Sequence, residues 1–265
     1  MVTRTVRDCA AMLDWKGTAE DDAPYAPPPK TRPYSDEIAT PCERLRIAVS
    51  TEVPLGLAPH PDVQTVLDRT RATLEQLGHD VIELKSFGID WRKLYRAQGA
   101  VSGAAFAAAI DDWAQVLGRA PREEDFEPLA WASYQASLRL TGAQAGWGLQ
   151  TLRLMTRQII ALWRDFDVLL MPTTLTPPPA IGFLDPVNVN PREFNKRQGR
   201  VFGYTPPFNM TGQPSISLPL GMSAGNLPIG MMFTGRYSDE ATLFRLAAQL
   251  EQAMPWRDRR APGWN

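Results

Sequence analysis

Side chains that could carry out nucleophilic or acid–base chemistry are few in this sequence and lie far apart. Hydrolysis through serine, threonine or cysteine needs a base within hydrogen-bond reach and donors for the developing oxyanion. Ser102 and Ser223 lie beside glycine or other small residues, a setting that suits a nucleophile but also helix packing or a turn. Of the two histidines, His60 lies in a proline-rich lead-in to a helix, and His79 lies at a helix-to-strand turn. A solvent-exposed polar side chain is routine at such a turn, so neither histidine indicates catalysis.

Acidic pairs and cysteines also give no site pattern. The pair at 111–112 and the triplet at 123–125 are more typical of solvated helix faces or first-turn charges than of an acid–base pair. Cys9 and Cys42 have no CxxC or Cys/His spacing, so the sequence predicts no metal site and no cofactor. Two isolated thiols favour a reducing cytosol, although a disulfide between them stays open. We therefore identify no catalytic residue from motifs alone.

Composition excludes several classes of function. The chain has 265 residues, 28 basic and 29 acidic, with a formal net charge of −1. This balance argues against binding nucleic acid or an anionic membrane through overall charge. The sequence shows no apolar run of 18 residues and no signal-peptide core near Met1. We expect a cytoplasmic protein with no nucleic-acid or membrane partner.

The elements that would position a site begin with a strand, a helix and a strand. Residues 45–50 form a short apolar run, an amphipathic helix follows Pro61 and ends before Gly78, and residues 79–84 form a second strand. This order predicts a βαβ unit with parallel strands. Residues 90–165 are predicted to be mainly helical, with a second helix from Asp125 to about Leu140 and a third from about Gln150 to Phe166. Residues 99–118, the first helical segment, contain small residues that allow close approach of another backbone. The proline-rich residues 17–43 read as an extended surface connector or as an interdomain linker.

The second half of the chain is predicted to complete a mixed sheet. Residues 167–172 form a buried strand, and 215–221 and 229–235 form two strands whose connection through Gly225–Asn226 suits a hairpin. An amphipathic helix capped by Asp239 closes the fold, with an inner face of Leu243, Leu246, Ala247 and Leu250. The pattern favours one α/β domain.

Four segments resemble the amidase signature family, whose members hydrolyse amide bonds. They are TRTVRDCAAMLD at 3–14, FDVLLMPTTLTPPPAIG at 166–182, residues 207–236 and residues 239–264. The most specific piece is F-N-x-[ST]-G-Q-P-x-I-S-L-P at 208–219. The resemblance covers essentially the whole chain but only the C-terminal half of a family member, and is greatest to enzymes that open cyclic dimers of 6-aminohexanoate. It implies a three-layer α/β/α amidase-signature-like fold with a mixed sheet, incomplete because residues 1–265 represent the C-terminal portion of the domain. Residues 17–43 are then a connector within that portion.

The resemblance also implies where the chemistry lies. Family members use a serine nucleophile, a second serine held by a cis peptide bond and a lysine base, all in the N-terminal half. Here the match begins at Thr3, no Gly-Gly-Ser-Ser run occurs, and none of the five lysines has a matching context. We therefore expect hydrolysis of small-molecule amides only when an N-terminal-half chain complements this one; a homodimer is a further expected partner. Two alternatives stay open: a non-catalytic relic or binding and assembly module, and a hydrolase that uses Ser102 or Ser223.

On this hypothesis the later half supplies pocket walls. The predicted substrate-binding residues are Ser102 and Phe106 on the small-residue helix and Phe202, Phe208 and Asn209 on the segment 202–211, which is expected to belong to a long ordered loop. Asn209 either hydrogen-bonds an amide or holds its loop in shape. Arg4 and Asp8 are expected to anchor the first helix against the other half. Since residues 45–50, 167–172 and 215–220 look apolar on both faces, we expect an unpaired edge or a bare apolar face.

Overall fold

The computed structural model describes residues 1–17, 28–52, 56–188 and 190–261. Helices and strands are intermixed along the chain, as expected of an α/β fold. They are α1 (Val6–Lys16), α2 (Tyr34–Glu37), β1 (Arg46–Val49), α3 (Pro61–Gln76), β2 (Asp80–Glu83), α4 (Trp91–Leu117), α5 (Pro128–Ser137), α6 (Gly142–Ala161), β3 (Val168–Pro172), α7 (Pro191–Val201), α8 (Pro206–Thr211), β4 (Ser215–Met222), β5 (Pro228–Thr234) and α9 (Glu240–Ala253).

The strands form one mixed sheet in the order β2-β1-β3-β5-β4. The predicted βαβ unit is confirmed, since β1 and β2 pair in parallel with Arg46 opposite Asp80. Strand β3 pairs in parallel with the other side of β1, whereas β5 runs antiparallel to both β3 and β4. The chain therefore leaves β1 in one direction and returns on its other side, which makes β1–β3 a switch point of the topology.

Alternation along the strands divides the core between the two faces of the sheet. Ile47 and Val49 pack with α1, α3 and α9, whereas Ala48 between them packs with α4 and α6. Leu170 and Leu169 of β3 divide in the same way. Because both faces of β1 and β3 are covered by helices, these strands can be apolar throughout. The predicted three-layer α/β/α arrangement with a mixed sheet is confirmed.

Two helical predictions need correction. The sequence placed the third helix of the 90–165 region at about residue 150, but α6 begins at Gly142 behind a capping box between Thr141 and Gln144. The connector 17–43 contains the one-turn helix α2, which its prolines did not predict. Asp14 accepts hydrogen bonds from the backbone N–H groups of Tyr34 and Ser35 and so begins that turn. Residues 18–27 of the connector lie outside the described residues.

Strand β4 differs from the other strands, and here the expectation of apolar faces on both sides was wrong. Ile216 and Leu218 pack towards α1 and α9, but Ser215 and Ser217 are exposed on the opposite face. β4 is also the last strand on its side of the sheet among the described residues. The predicted unpaired edge is therefore present, but one face beside it carries hydroxyl groups.

Candidate functional site

The wall of the candidate site begins with α4, whose length and position follow from its caps and its small residues. The Asp90 side chain accepts from the Lys93 N–H at the start, and Gly118 ends the helix in the left-handed region at φ 67°. Gly148 of α6 lies against α4: a Cβ there would come within 2.8 Å of the Ala97 carbonyl oxygen. The predicted close approach of two backbones is thus present between α4 and α6.

Ser102 and Phe106 lie one helical turn apart on an open face of α4. Ser102 is exposed, and its hydroxyl donates to the carbonyl oxygen of Gln98 at 2.8 Å. Phe106 retains 36% of its surface, so both side chains are accessible from the same side of the helix. Their assignment as substrate-binding residues stays a prediction.

The segment 202–211 places its three candidate residues in different environments. It contains the short helix α8 rather than the long loop expected, and Gly212 ends that helix at φ 68°. Phe202, just after α7, is 42% exposed, and Asn209 is exposed on α8. Phe208 is only 6% exposed and meets the Trp163 ring edge to face, with ring centroids 6.3 Å apart. Phe208 therefore supports this segment from the core side, and its contact with substrate stays a prediction.

Contacts between these elements hold the wall together. The Leu175 N–H, in the loop after β3, donates to the Val201 carbonyl at 3.1 Å, and a Cβ at Gly203 would approach the Leu175 side chain to 2.7 Å. The Thr156 hydroxyl of α6 donates to the Met210 carbonyl at 3.4 Å. The loop after β3 and the 202–211 segment are thus fixed to each other, and α8 is fixed to α6.

Polar groups next to this wall were missed by sequence reasoning. The hydroxyls of Thr173 and Ser217 lie 2.7 Å apart on the face of the sheet that also carries α4 and α6. They close over Gly230, where a Cβ would come within 2.8 Å of both oxygens. Thr173 directly follows β3, at the carboxyl end where open α/β sheets bind ligands. The signal that could have found them was a threonine after a buried strand and a serine alternating with apolar residues.

The two serines considered as nucleophiles hold local backbone structure. Ser223 lies in GMSAG at 221–225, a string with GxSxG spacing, but that motif needs a strand-to-helix turn, whereas Ser223 lies in the β4–β5 hairpin. Its Oγ accepts from the Leu227 N–H at 3.0 Å, and Asn226 occupies φ 58° in the turn, as the predicted hairpin requires. Neither Ser223 nor Ser102 hydrogen-bonds to a histidine, lysine or carboxylate within the described part of the chain.

Both histidines also serve the fold. His79 is 6% exposed, so the expectation of a solvent-exposed side chain was wrong. Its Nδ1 accepts from the Leu45 N–H at 3.1 Å, and its Nε2 lies 2.9 Å from the Gln249 Oε1, which requires the proton on Nε2. His60 caps α3 by accepting from the Asp62 N–H at 3.2 Å.

The charged groups form ion pairs both locally and between distant parts of the chain, as Arg245 does with Glu37. The Asp125 carboxylate accepts hydrogen bonds from the two terminal guanidinium nitrogens of Arg119 at 2.6 and 2.7 Å. These hydrogen bonds lower the pKa of Asp125 to about 2. Arg4 and Asp8 do not pair with each other: Arg4 donates to the Arg259 carbonyl, while Asp8 pairs with Arg7. Their contact with the other half stays a prediction. In the ranges that the structure describes, no group of three His, Cys, Asp or Glu side chains lies close enough to hold a metal ion.

The thiols and the helices add two further observations. Cys9 and Cys42 are both free and partly buried, and burial raises the pKa of Cys42 to about 11. A thiol with so high a pKa is a poor nucleophile at neutral pH. None of the described helices is both long and apolar enough to cross a bilayer.

Comparison with known proteins shows which family this chain resembles. The chain is 31% identical to a 6-aminohexanoate-cyclic-dimer hydrolase of Paenarthrobacter ureafaciens over 269 residues, covering 98% of this chain and 54% of that protein. It is 32% identical to the enzyme of the same name from Pseudomonas sp. (strain NK87), again with 98% and 54% coverage. The solved structure of a 6-aminohexanoate cyclic dimer hydrolase superposes with a TM-score of 0.88 at 30% identity, covering 97% of this chain and 55% of that chain.

The chain thus spans about half the length of the relatives it matches. The resemblance inferred from residues 3–14, 166–182 and 207–236 is confirmed at the level of sequence and of fold. The sequence model of the family described as Amidase matches residues 1–244, and the chain therefore belongs to the amidase family.

Proposed function

We propose that this chain forms the pocket-wall half of a hydrolase of carbon–nitrogen amide bonds and acts only with a second half that supplies nucleophile, oxyanion donors and base. The observation that carries the proposal is the coverage: nearly all of this chain aligns with about half of a cyclic-dimer hydrolase. Agreement of fold over that half supports a shared role for it. In this chain, the hydroxyls of Ser102 and Ser223 are engaged with backbone groups, which fits a nucleophile supplied from elsewhere.

The substrate would lie against the wall described above. The exposed rings of Phe106 and Phe202 offer apolar surface for a chain of methylene groups. The exposed Asn209 amide and the Ser102 hydroxyl supply polar groups for amide N–H and C=O. The class of substrate proposed is a linear or cyclic aliphatic amide, after the names of the relatives. The two free thiols support a cytoplasmic location.

The test measures amide cleavage with and without a second half. The purified chain is mixed or co-expressed with the part of the Paenarthrobacter ureafaciens enzyme that this chain does not match, and cleavage of 6-aminohexanoate cyclic dimer and of simple amides is followed by mass spectrometry. We expect no turnover by either part alone and turnover by the pair. That second half joined to its own natural counterpart is the positive control. Turnover in the control but none with this chain would overturn the proposal.

The second candidate function is that of a non-catalytic relic or a binding and assembly module. One observation favours it: the described residues already enclose two apolar clusters, one on each face of the sheet. Such a core can persist without a catalytic partner. A folded chain that binds the amide with unchanged affinity in the presence of the second half, and never cleaves it, would support this alternative.

A further inference from the structure

Among the described residues no strand lies on the outer side of β4, so the backbone groups on that side have no strand partner there. The Pro214 carbonyl accepts from the Gly235 N–H at 3.0 Å, so position 214 faces β5. In an antiparallel pair every second residue faces the same neighbour, and positions 216 and 218 therefore also face β5. The peptide groups of Ser215 and Ser217 consequently point away from the sheet, as their register opposite Thr234 and Met232 requires.

This side of β4 borders a groove of about 610 Å³. Residues 1–6 form its far wall, where the Arg4 carbonyl accepts from the Trp256 indole N–H at 3.0 Å. Leu243 and Phe244 of α9 supply an apolar floor. Met1 and Val2 on the wall are 60% and 100% exposed, so apolar surface and unpaired backbone occur together. That combination is the surface that β-strand addition uses.

One end of the free edge is already occupied. The Arg259 guanidinium donates to the Pro219 carbonyl at 3.0 Å, so strand addition past that point would have to displace it. The open stretch is therefore the short run that contains Ser215 and Ser217. Pro219 itself shows that β4 accepts a residue that donates no backbone hydrogen bond.

We infer that the groove beside β4 is the docking site for the second half of the amidase and that one of its strands pairs with Ser215–Ser217. This inference rests on the proposed function, because the occupant is the part of the relatives that this chain does not match. The relatives contain almost as much chain again as the part aligned here. A strand entering the groove would direct every second side chain onto the floor of Leu243 and Phe244.

The opposite edge of the sheet provides the contrast. Asp80 and Leu84 donate to the Leu45 and Val49 carbonyls, so Glu83 between them faces outward from β2. No residue of β2 lines the groove beside β4, and Glu83 is an exposed charge of the kind that protects free edges. Outward positions on the two edges can therefore be changed in matched ways.

The experiment compares S217P, S217A and E83P. S217P removes the outward N–H and adds a ring where the second strand would pair. S217A removes only the hydroxyl group and its hydrogen bond to Thr173. E83P makes the same change to proline on the other edge of the sheet. The probe is the part of the Paenarthrobacter ureafaciens enzyme that this chain does not match. Affinity is measured by co-purification and titration, and folding of each variant by thermal unfolding. The probe's natural counterpart serves as the control that it is folded.

We expect S217P to weaken binding at least about tenfold, because a strand hydrogen bond is lost and pairing is blocked, while S217A and E83P bind as the unchanged chain does. In the complex, the hydrogen exchange of the Ser215 and Ser217 backbone amides should slow at least about tenfold, while exchange at the Glu83 amide should keep its rate. Equal binding by S217P and S217A would overturn the inference, as would protection at β2 instead. A dimer of this chain alone that S217P dissociates, without probe binding, would assign the edge to a second copy and also overturn it. Binding at β4 without amide cleavage would uphold the docking site and refute the proposed function.

Discussion

Replacing Gly148 by alanine should separate α4 from α6 and destabilise the fold, whereas the same change at Gly146 should stabilise it. Both glycines lie inside α6, two residues apart. A Cβ at Gly148 would lie 2.8 Å from the Ala97 carbonyl oxygen and 3.1 Å from the Val101 side chain, but nothing lies within 4 Å of a Cβ at Gly146. The pair therefore tests one contact with the helix, the substitution and the local sequence held constant.

The magnitudes follow from two opposing terms. Alanine in a helix interior is favoured over glycine by about 0.5–1 kcal/mol, and both variants gain this. Only G148A forces backbone against backbone, and an overpacked core costs about 1–3 kcal/mol. The propensity term cancels between the variants, so G146A should exceed G148A in free energy of unfolding by about 1–3 kcal/mol. At about 2–4 °C per kcal/mol for a large domain, the melting temperatures should differ by about 2–12 °C.

The assay is reversible urea unfolding followed by circular dichroism, with thermal unfolding as a second measurement. A common m-value would show that the variants differ in stability and not in the surface exposed. If G148A proved as stable as G146A, the close contact between α4 and α6 would be refuted. The position of the wall that carries Ser102 and Phe106 would then lose its physical basis.

Three further predictions test other parts of the fold. Burial opposes the ionisation of Glu37, but hydrogen bonds from two arginines outweigh it and lower its pKa. E37Q should therefore cost about 1–3 kcal/mol of stability at neutral pH. The stability that Glu37 contributes should fade as the pH falls below 4.5, the ordinary pKa of a glutamate, and unfolding measured from pH 7 to pH 3 would show this. H79A should destabilise more than H60A, because His79 is buried and His60 only caps a helix; the expected losses are about 1–3 and about 0.5–2 kcal/mol. A loss in H60A that equals or exceeds the loss in H79A, measured by urea unfolding, would contradict this order. F208A should cost about 3–5 kcal/mol of stability, because the Phe208 ring is buried. F202A removes an exposed ring, so it should leave stability within about 0.5 kcal/mol and raise KM in the complemented enzyme. A stable F208A would show that Phe208 does not belong to the core.

The strands and the closing helix could be predicted because their signals are local. An apolar run such as 168–172 is bounded by breakers within a few residues, and the inner face of α9 follows the helical period. The start of α6 could not be predicted, because the segment GAQAGWG at 142–148 contains three glycines, which disfavour a helix. Packing of Gly148 on α4 and the capping box at Thr141 override that propensity. The site has the same limit, because Phe202 and Phe208 are equivalent in pattern. Packing in the assembled core, which includes contact with Trp163, buries Phe208 and leaves Phe202 exposed.

Buried polar groups were the least predictable part, since their partners are distant in sequence. His79 accepts a hydrogen bond from a residue 34 positions away and donates one to a residue 170 positions away, so nothing near it indicates burial. The turn of α2 is begun by Asp14, about 20 residues earlier. Such contacts exist only once the layers have assembled, and sequence periodicity contains no information about them.

The exposed hydroxyls of β4 change what should cover that end of the sheet. A face meant to be buried under another apolar layer would carry valine or leucine at alternate positions, as β1 and β3 do. Ser215 and Ser217 are exposed instead, and Ser217 pairs with Thr173 close to the loops of the proposed wall. Each hydroxyl already has one partner, Thr234 for Ser215 and Thr173 for Ser217, but only one O–H group in each pair donates to the other. Since an unpartnered buried donor is costly, whatever covers these pairs must offer an acceptor or water. The same residues thus present unpaired backbone at their edge and polar side chains on their face, which suits a boundary where a second half pairs along the edge and a polar substrate site lies beside it.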